Sequence, residues 1–315
     1  MASVLIALAC LAALTSCSAT PLDDYIQRPE PRFAYRDTGL RIGSGGASAT
    51  WDGYIFNVTT LQWLTDSDSS QSIWWHYMAL IVPRNVEASC DLGTLYITGG
   101  NSDPAALPTS GDEEVAIVAA VALRTRCLGA VLYQVPNTPI AFPDDPSPGK
   151  QRSPDESIAY TWWRFMRDFP AGAAPAAAER ILYLPMVKSA VQVLNVIQAV
   201  APTFGVTSVA RFLTGGVSKR GWTAWLLAAA DKRIVGVVPI VLDALGVRAF
   251  LHRQFRVYGA YTWAMQPYWS MNITAAIDTP AADALFAIVD PLAYSDRLIM
   301  PKLVISSAGD EFQVN

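Results

Sequence analysis

The chain has 315 residues, 52% hydrophobic and 16% charged, with 21 prolines, 20 glycines and four cysteines. That length suits one large α/β domain or two small ones, with an ample core, and so low a charged fraction speaks against a disordered chain or a long coiled coil. A net charge of −4 without any basic stripe speaks against nucleic acid as a partner, and two histidines with scattered cysteines speak against a zinc site. No cofactor is expected.

Met1 to Leu14, MASVLIALACLAAL, is an uninterrupted apolar run, and the first charge is Asp23. The run is too short to span a bilayer, so with Ser16, Ser18 and Ala19 behind it residues 1–19 read as a secretory signal peptide. Leu14-Thr15-Ser16-Cys17 resembles a bacterial lipobox, which would instead make Cys17 a lipid anchor. Asn57-Val58-Thr59 and Asn272-Ile273-Thr274 are glycosylation sequons and fit an extracellular destination.

Residues 20–72 are polar and Gly/Ser/Asp-rich in patches, with Ser44-Gly45-Gly46 as a turn, and read as an irregular or hairpin-forming opening. Apolar runs then alternate with helical patterns. Tyr77 to Val82, Leu92 to Thr98, Leu128 to Val135, Val209 to Thr214, Ile234 to Leu242 and Leu303 to Ser307 read as buried strands. Glu113 to Arg124, Asp155 to Asp168, Pro185 to Ala201 and Lys219 to Asp231 read as helices. The alternation predicts a mostly parallel sheet with helices on both faces. Pro136 to Pro154 reads as a surface loop. Residues 243–300, rich in aromatics such as Phe250, Tyr268 and Trp269, break the rhythm and read as a cap insertion. Cys90 and Cys127 each stand just before a strand, which makes a disulfide between neighbouring strands geometrically feasible.

The densest signal is Arg211 to Trp225, RFLTGGVSKRGWTAW, a buried strand turning through Ser218 into an amphipathic helix. A serine at such a corner is the nucleophile elbow of α/β-hydrolases, and the helix start behind it offers free N–H groups to an oxyanion. The usual glycine two residues after the serine is Arg220 here, with Gly221 one place later; a serine N-cap on a core helix would look the same. The loop at Gly99-Gly100 suits the second oxyanion donor, so the hole is placed at the N–H groups of Lys219 and Gly100. Asp310, in the loop after a late strand, is the candidate acid, with Asp243 as the alternative. The base should follow the acid in chain order, yet only five residues follow Asp310 and none is histidine. His76 precedes the central strands and His252 lies in the cap-like stretch. The expectation is a domain over 20–315 that is incomplete at its C-terminus, lacks its general base and has little or no hydrolase activity.

These segments resemble the PhoPQ-activated pathogenicity-related proteins. The resemblance rests on Trp74-Trp75-His76-Tyr77, Leu95-Tyr96-Ile97-Thr98-Gly99-Gly100, Gln134-Val135-Pro136-Asn137, Asp155-Glu156-Ser157, Leu184-Pro185-Met186-Val187-Lys188, Gly216 to Trp225 and Gly309-Asp310-Glu311-Phe312. It implies an α/β-hydrolase fold, makes Ser-Lys-Arg-Gly the family's own form of the elbow, and assigns Ser218 as nucleophile and Asp310 as acid. Two functions are then expected. One is a secreted serine hydrolase of esters or amides, with a small-molecule or peptide substrate. The other is a non-catalytic secreted signal on a hydrolase scaffold, with a cell-surface receptor as partner.

Overall fold

The computed structural model describes residues 19–43, 50–170, 175–242 and 245–312. Residues 1–18 with Cys17, the Ser44-Gly45-Gly46 segment and Asp243 lie outside the described residues, and with them the signal-peptide and turn readings.

Apolar runs bounded by turn residues build the middle of a seven-stranded sheet. The strands are β1 (Ala34–Gly43), β2 (Trp51–Gln62), β3 (Ile73–Pro83), β4 (Leu92–Ile97), β5 (Leu128–Leu132), β6 (Arg211–Val217) and β7 (Ile234–Ile240), ordered β1-β2-β3-β5-β4-β6-β7. The helices are α1 (Pro21–Gln27), α2 (Glu113–Thr125), α3 (Pro154–Arg167), α4 (Pro175–Ala178), α5 (Tyr183–Val200), α6 (Lys219–Ala230), α7 (Val247–Tyr258), α8 (Gln266–Trp269) and α9 (Pro280–Val289). β5, β4, β6 and β7 pair in parallel, because each is reached through a helical crossover. β1, β2 and β3 add antiparallel at one edge, so the sheet is mixed where the sequence suggested a mostly parallel one. The polar opening is thus a pair of long strands. This strand order, with helices on both faces, is the α/β-hydrolase fold.

Two cores flank the sheet. The larger joins Trp63 and Trp74 to α3, α5 and α6, and the smaller packs α2 through Val115, Val118 and Ala122 against Ile55, Ala79 and Val131. The apolar stretch Tyr183–Phe204, containing α5, is long enough to cross a membrane, but 72% of its most apolar window is buried in the larger core. Cys90 and Cys127 form a disulfide, their Cα atoms 5.7 Å apart where β4 and β5 begin side by side.

Two segments differ from their sequence patterns. Leu303 to Ser307 is not a continuous strand: Lys302 and Ile305 bridge to Val237 and Ile240 at the open side of β7. Four backbone hydrogen bonds join residues 301–305 to 237–241, but Pro239 has no N–H to donate in the middle of that ladder, which interrupts the strand, and Leu303, Val304 and Ile305 are exposed. Pro136 to Pro154 is a surface loop only in part, largely exposed over 143–151 but buried at its start. It turns inward at Ile140, Phe142, Asp145 and Arg152, all buried. The cap-like stretch contains α7, α8 and α9, and the Asp290 carboxylate ties it together by accepting the N–H groups of Gly246 and Val247 at the start of α7.

Candidate active site

β6 leads into Ser218, whose backbone sits at φ 57°, ψ −127°. A left-handed φ costs a serine about 1–3 kcal/mol and persists only where the surroundings enforce it. Here the Ser218 N–H donates to Ile240 O at the end of β7 (2.8 Å), while the Trp222 N–H donates to Ser218 O (3.0 Å) and opens α6. The hydroxyl does not cap the helix, which removes the N-cap alternative. The N–H groups of Lys219, Arg220 and Gly221 have no acceptor within α6, and they lie at its positive end.

The displaced glycine has a packing reason. A Cβ on Gly221 would stand 2.8 Å from Gly216 O, so the close approach of helix and strand falls at this position. Arg220 is accommodated because its side chain turns towards β4 and β5. Its Nε–H donates to Val135 O (2.5 Å), and its Nη2 lies 2.3 Å from where a Cβ on Gly99 would be. Arg220 thereby clasps the elbow to the neighbouring strand ends, and Gly99 leaves it the room. Gly100, at φ 114°, lines a cavity of about 620 Å³ together with Arg220 and Glu114. Ser218 and Lys219 line a different, narrower cavity of about 40 Å³. Gly100 and Lys219 therefore line different cavities.

Asp310 follows the 302–305 segment beyond the end of β7, where Ile305 O accepts the Val241 N–H. Its Oδ1 accepts the Phe312 N–H (2.8 Å), and Phe312 lines the Ser218 cavity. The acid candidate is thus at the elbow's end of the sheet.

Neither histidine is there. His76 is fully buried in β3, with Nδ1 2.8 Å from Tyr133 O and Nε2 3.2 Å from Ser189 Oγ. Burial pushes its pKa down from 6.5 to about 4, partly opposed by hydrogen bonding to the backbone at Tyr133 and Gln134. His252 lies on α7, its Nε2 2.9 Å from Asp278 Oδ1. The buried imidazole has a consequence for stability. Above pH 6.5 both folded and unfolded His76 are neutral. As pH falls towards 4 only the unfolded chain takes the proton, so about 3 kcal/mol of stability is lost across that window. Denaturant titrations at several pH values should show this slope, and His76→Gln should flatten it.

One corner of the Ser218 cavity is polar in a way the local sequence patterns do not signal. Lys219 Nζ is 2.8 Å from Asp155 Oδ2, and the Tyr268 hydroxyl donates to Asp155 Oδ1 (3.3 Å). Burial lowers the Lys219 pKa, with Asp155 pulling it back up. Tyr183 completes this corner, while Trp162, Trp222, Phe250, Leu251 and Met265 form apolar wall. Asp155 comes from α3, Tyr183 from α5 and Tyr268 from α8, so only tertiary packing assembles them. Among the described residues no cluster of histidine, cysteine and carboxylates could hold a metal.

The autocrine proliferation repressor protein A of Dictyostelium discoideum is 33% identical over 310 residues, which is 98% of this chain and 58% of that protein. The chain thus spans somewhat over half the length of that relative. Among solved structures, a glucuronoyl esterase from Solibacter usitatus is 13% identical with a TM-score of 0.48, covering 93% of this chain and 74% of its own. Acetyl xylan esterase 1 from Thermoanaerobacterium sp. is 13% identical with a TM-score of 0.41, covering 91% and 86%. The profile of the PhoPQ-activated pathogenicity-related proteins matches residues 22–315, elbow and acid loop included, and the chain belongs to that family.

Proposed function

We propose that this chain carries the nucleophile and oxyanion donors of a secreted serine hydrolase that acts on esters or amides by acyl transfer. The observation that carries the reading is Ser218 itself: a non-glycine residue at φ 57°, at a strand-to-helix corner, lining a cavity. Ser218 Oγ would attack the carbonyl carbon, a histidine would take its proton, and Asp310 would orient that histidine. The developing oxyanion would meet the Lys219 N–H at the positive end of α6. Collapse of the tetrahedral intermediate would break the carbonyl C–O or C–N bond, the histidine giving its proton to the departing alcohol or amine. Water, deprotonated by that histidine, would then attack the acyl-Ser218 ester, releasing the acid and returning the proton to Ser218 Oγ. The apolar leader and the Cys90–Cys127 disulfide support secretion, since structural disulfides persist in oxidising compartments.

A second reading is a secreted signal that keeps the scaffold without turnover and meets a cell-surface receptor. It is favoured by the engagement of both histidines elsewhere, and it accords with the Dictyostelium relative's name as a proliferation repressor. An aryl-ester assay separates the readings. With no base in reach, the 315-residue chain is expected to show only a residual rate, and Ser218→Ala should remove even that. A residual rate untouched by Ser218→Ala would contradict the hydrolase reading. A rate typical of intact serine hydrolases would contradict the claim that the base is missing.

A further inference from the structure

Two buried donors, on residues that line the cavity, are unusual. The Tyr183 hydroxyl and the Trp162 Nε1–H belong to side chains only 1% and 2% exposed, and neither has a hydrogen-bond partner among the described residues. Buried donors without acceptors are rare in folded proteins, and each calls for an explanation. Both residues line the cavity that Ser218 faces, with their ring centroids 6.5 Å apart. The natural partner for such donors is an oxygen acceptor brought in by a ligand.

Charge and size narrow that ligand. Lys219 and Asp155 already neutralise each other at 2.8 Å. An anion would have to draw Lys219 away and settle beside the Asp155 carboxylate; a cation would have to displace Lys219. Either exchange costs desolvation that a neutral group avoids. The cavity holds about 40 Å³, room for about three water-sized groups at ~10–15 Å³ each. Trp162, Trp222 and Leu242 supply apolar surface for a methyl or methylene.

We propose that this cavity receives a short, neutral group bearing an oxygen acceptor, of acetyl or hydroxyacetyl size, next to the scissile bond. Its oxygen accepts from Tyr183 and Trp162, and its carbon packs on the indole faces. The assignment of a substrate class rests on the acyl-transfer reading above. Occupancy of the cavity does not, and the experiment separates the two.

Binding of acetamide, acetate and hexanamide to the full chain at pH 7 can be followed by tryptophan fluorescence and saturation-transfer NMR. Acetamide is expected to bind with a Kd in the millimolar range, about what so few heavy atoms can deliver. Acetate and hexanamide should bind at least about tenfold more weakly, through charge and length respectively. Tyr183→Phe should weaken acetamide about fivefold, the size of one hydrogen bond, and leave the thermal midpoint equal or higher because a buried unpaired hydroxyl is gone. Trp162→Phe should act in the same direction on binding. Ser218→Ala should still bind acetamide, so a failed ester assay beside intact binding would sink only the hydrolase reading. Absence of acetamide binding, equal binding of acetate or hexanamide, or unchanged acetamide binding in Tyr183→Phe would overturn the proposal.

Discussion

Arg152→Ala is expected to lower the unfolding free energy by about 3–5 kcal/mol. Arg152 and Asp145 are both buried, and the guanidinium meets the carboxylate through Nε and through Nη2, the latter at 2.8 Å. The guanidinium also lies 5.2 Å from the Tyr160 ring centroid. Truncating the arginine strands a carboxylate away from water, and that loss exceeds anything the remaining loop contacts restore. The backbone of Arg152 exchanges two hydrogen bonds with Ile140, so the pair also fixes the inward turn of the 136–154 segment. Replacing both partners together, as Asp145→Leu with Arg152→Met, should cost far less than Arg152→Ala alone, because no charge is left unpaired. Guanidinium unfolding of the three forms tests this. A single-variant loss below about 1 kcal/mol, the range of exposed ion pairs, would contradict the assignment.

The second large effect is expected from the disulfide. Cys90 and Cys127 are separated by 37 positions, and closing a loop of that length restricts the unfolded chain enough to contribute about 3–4 kcal/mol. The double variant Cys90→Ala/Cys127→Ala leaves neither partner behind as a lone thiol and should unfold at correspondingly lower denaturant. Reduction of the parent chain should bring its midpoint to that of the double variant. Equal midpoints for the oxidised parent and the double variant would contradict it.

How much was legible in the sequence follows from what each element buries. β4 to β7 announced themselves because strands covered on both faces are short apolar runs, and α2, α3, α5 and α6 because each shows a stripe or a capping box, as at Ser153 and Glu156. β1 and β2 did not. β1 is exposed along most of its length, and β2 carries Asp52, Gly53, Asn57 and Thr59 between its buried residues, so their composition mimics a loop. The opposite error occurred at Leu303 to Val304, where an apolar run looks like a core strand but lies at the sheet's open side. Pro136 to Pro154 looked external because its prolines are conspicuous, whereas the inward pair of Asp145 and Arg152 depends on a match across seven residues that no periodicity reports.

The site divides in the same way. Ser218 was readable because strand, corner and helix are contiguous in the chain, and Arg220 drew notice by standing where a glycine was due. Its clasp on Gly99 and Val135, and the polar corner of Asp155, Tyr183 and Tyr268, were not readable. They join residues from separate elements, and each looks locally like an ordinary helix or loop residue. The separation of Gly100 from Ser218 into different cavities has the same origin, since Arg220 fills the space between the two loops in a way only its tertiary contacts reveal.

The central claim is that Ser218 is the poised nucleophile and that neither histidine of this chain serves it. The most direct measurement is labelling by a fluorophosphonate probe, with the adduct mapped by peptide mass spectrometry in the parent, Ser218→Ala, His76→Gln and His252→Gln. A slow adduct at Ser218 is predicted, absent in Ser218→Ala and formed at the parent's rate in both histidine variants that remain folded. Loss of labelling in either folded histidine variant, or an adduct on a different serine, would contradict the account.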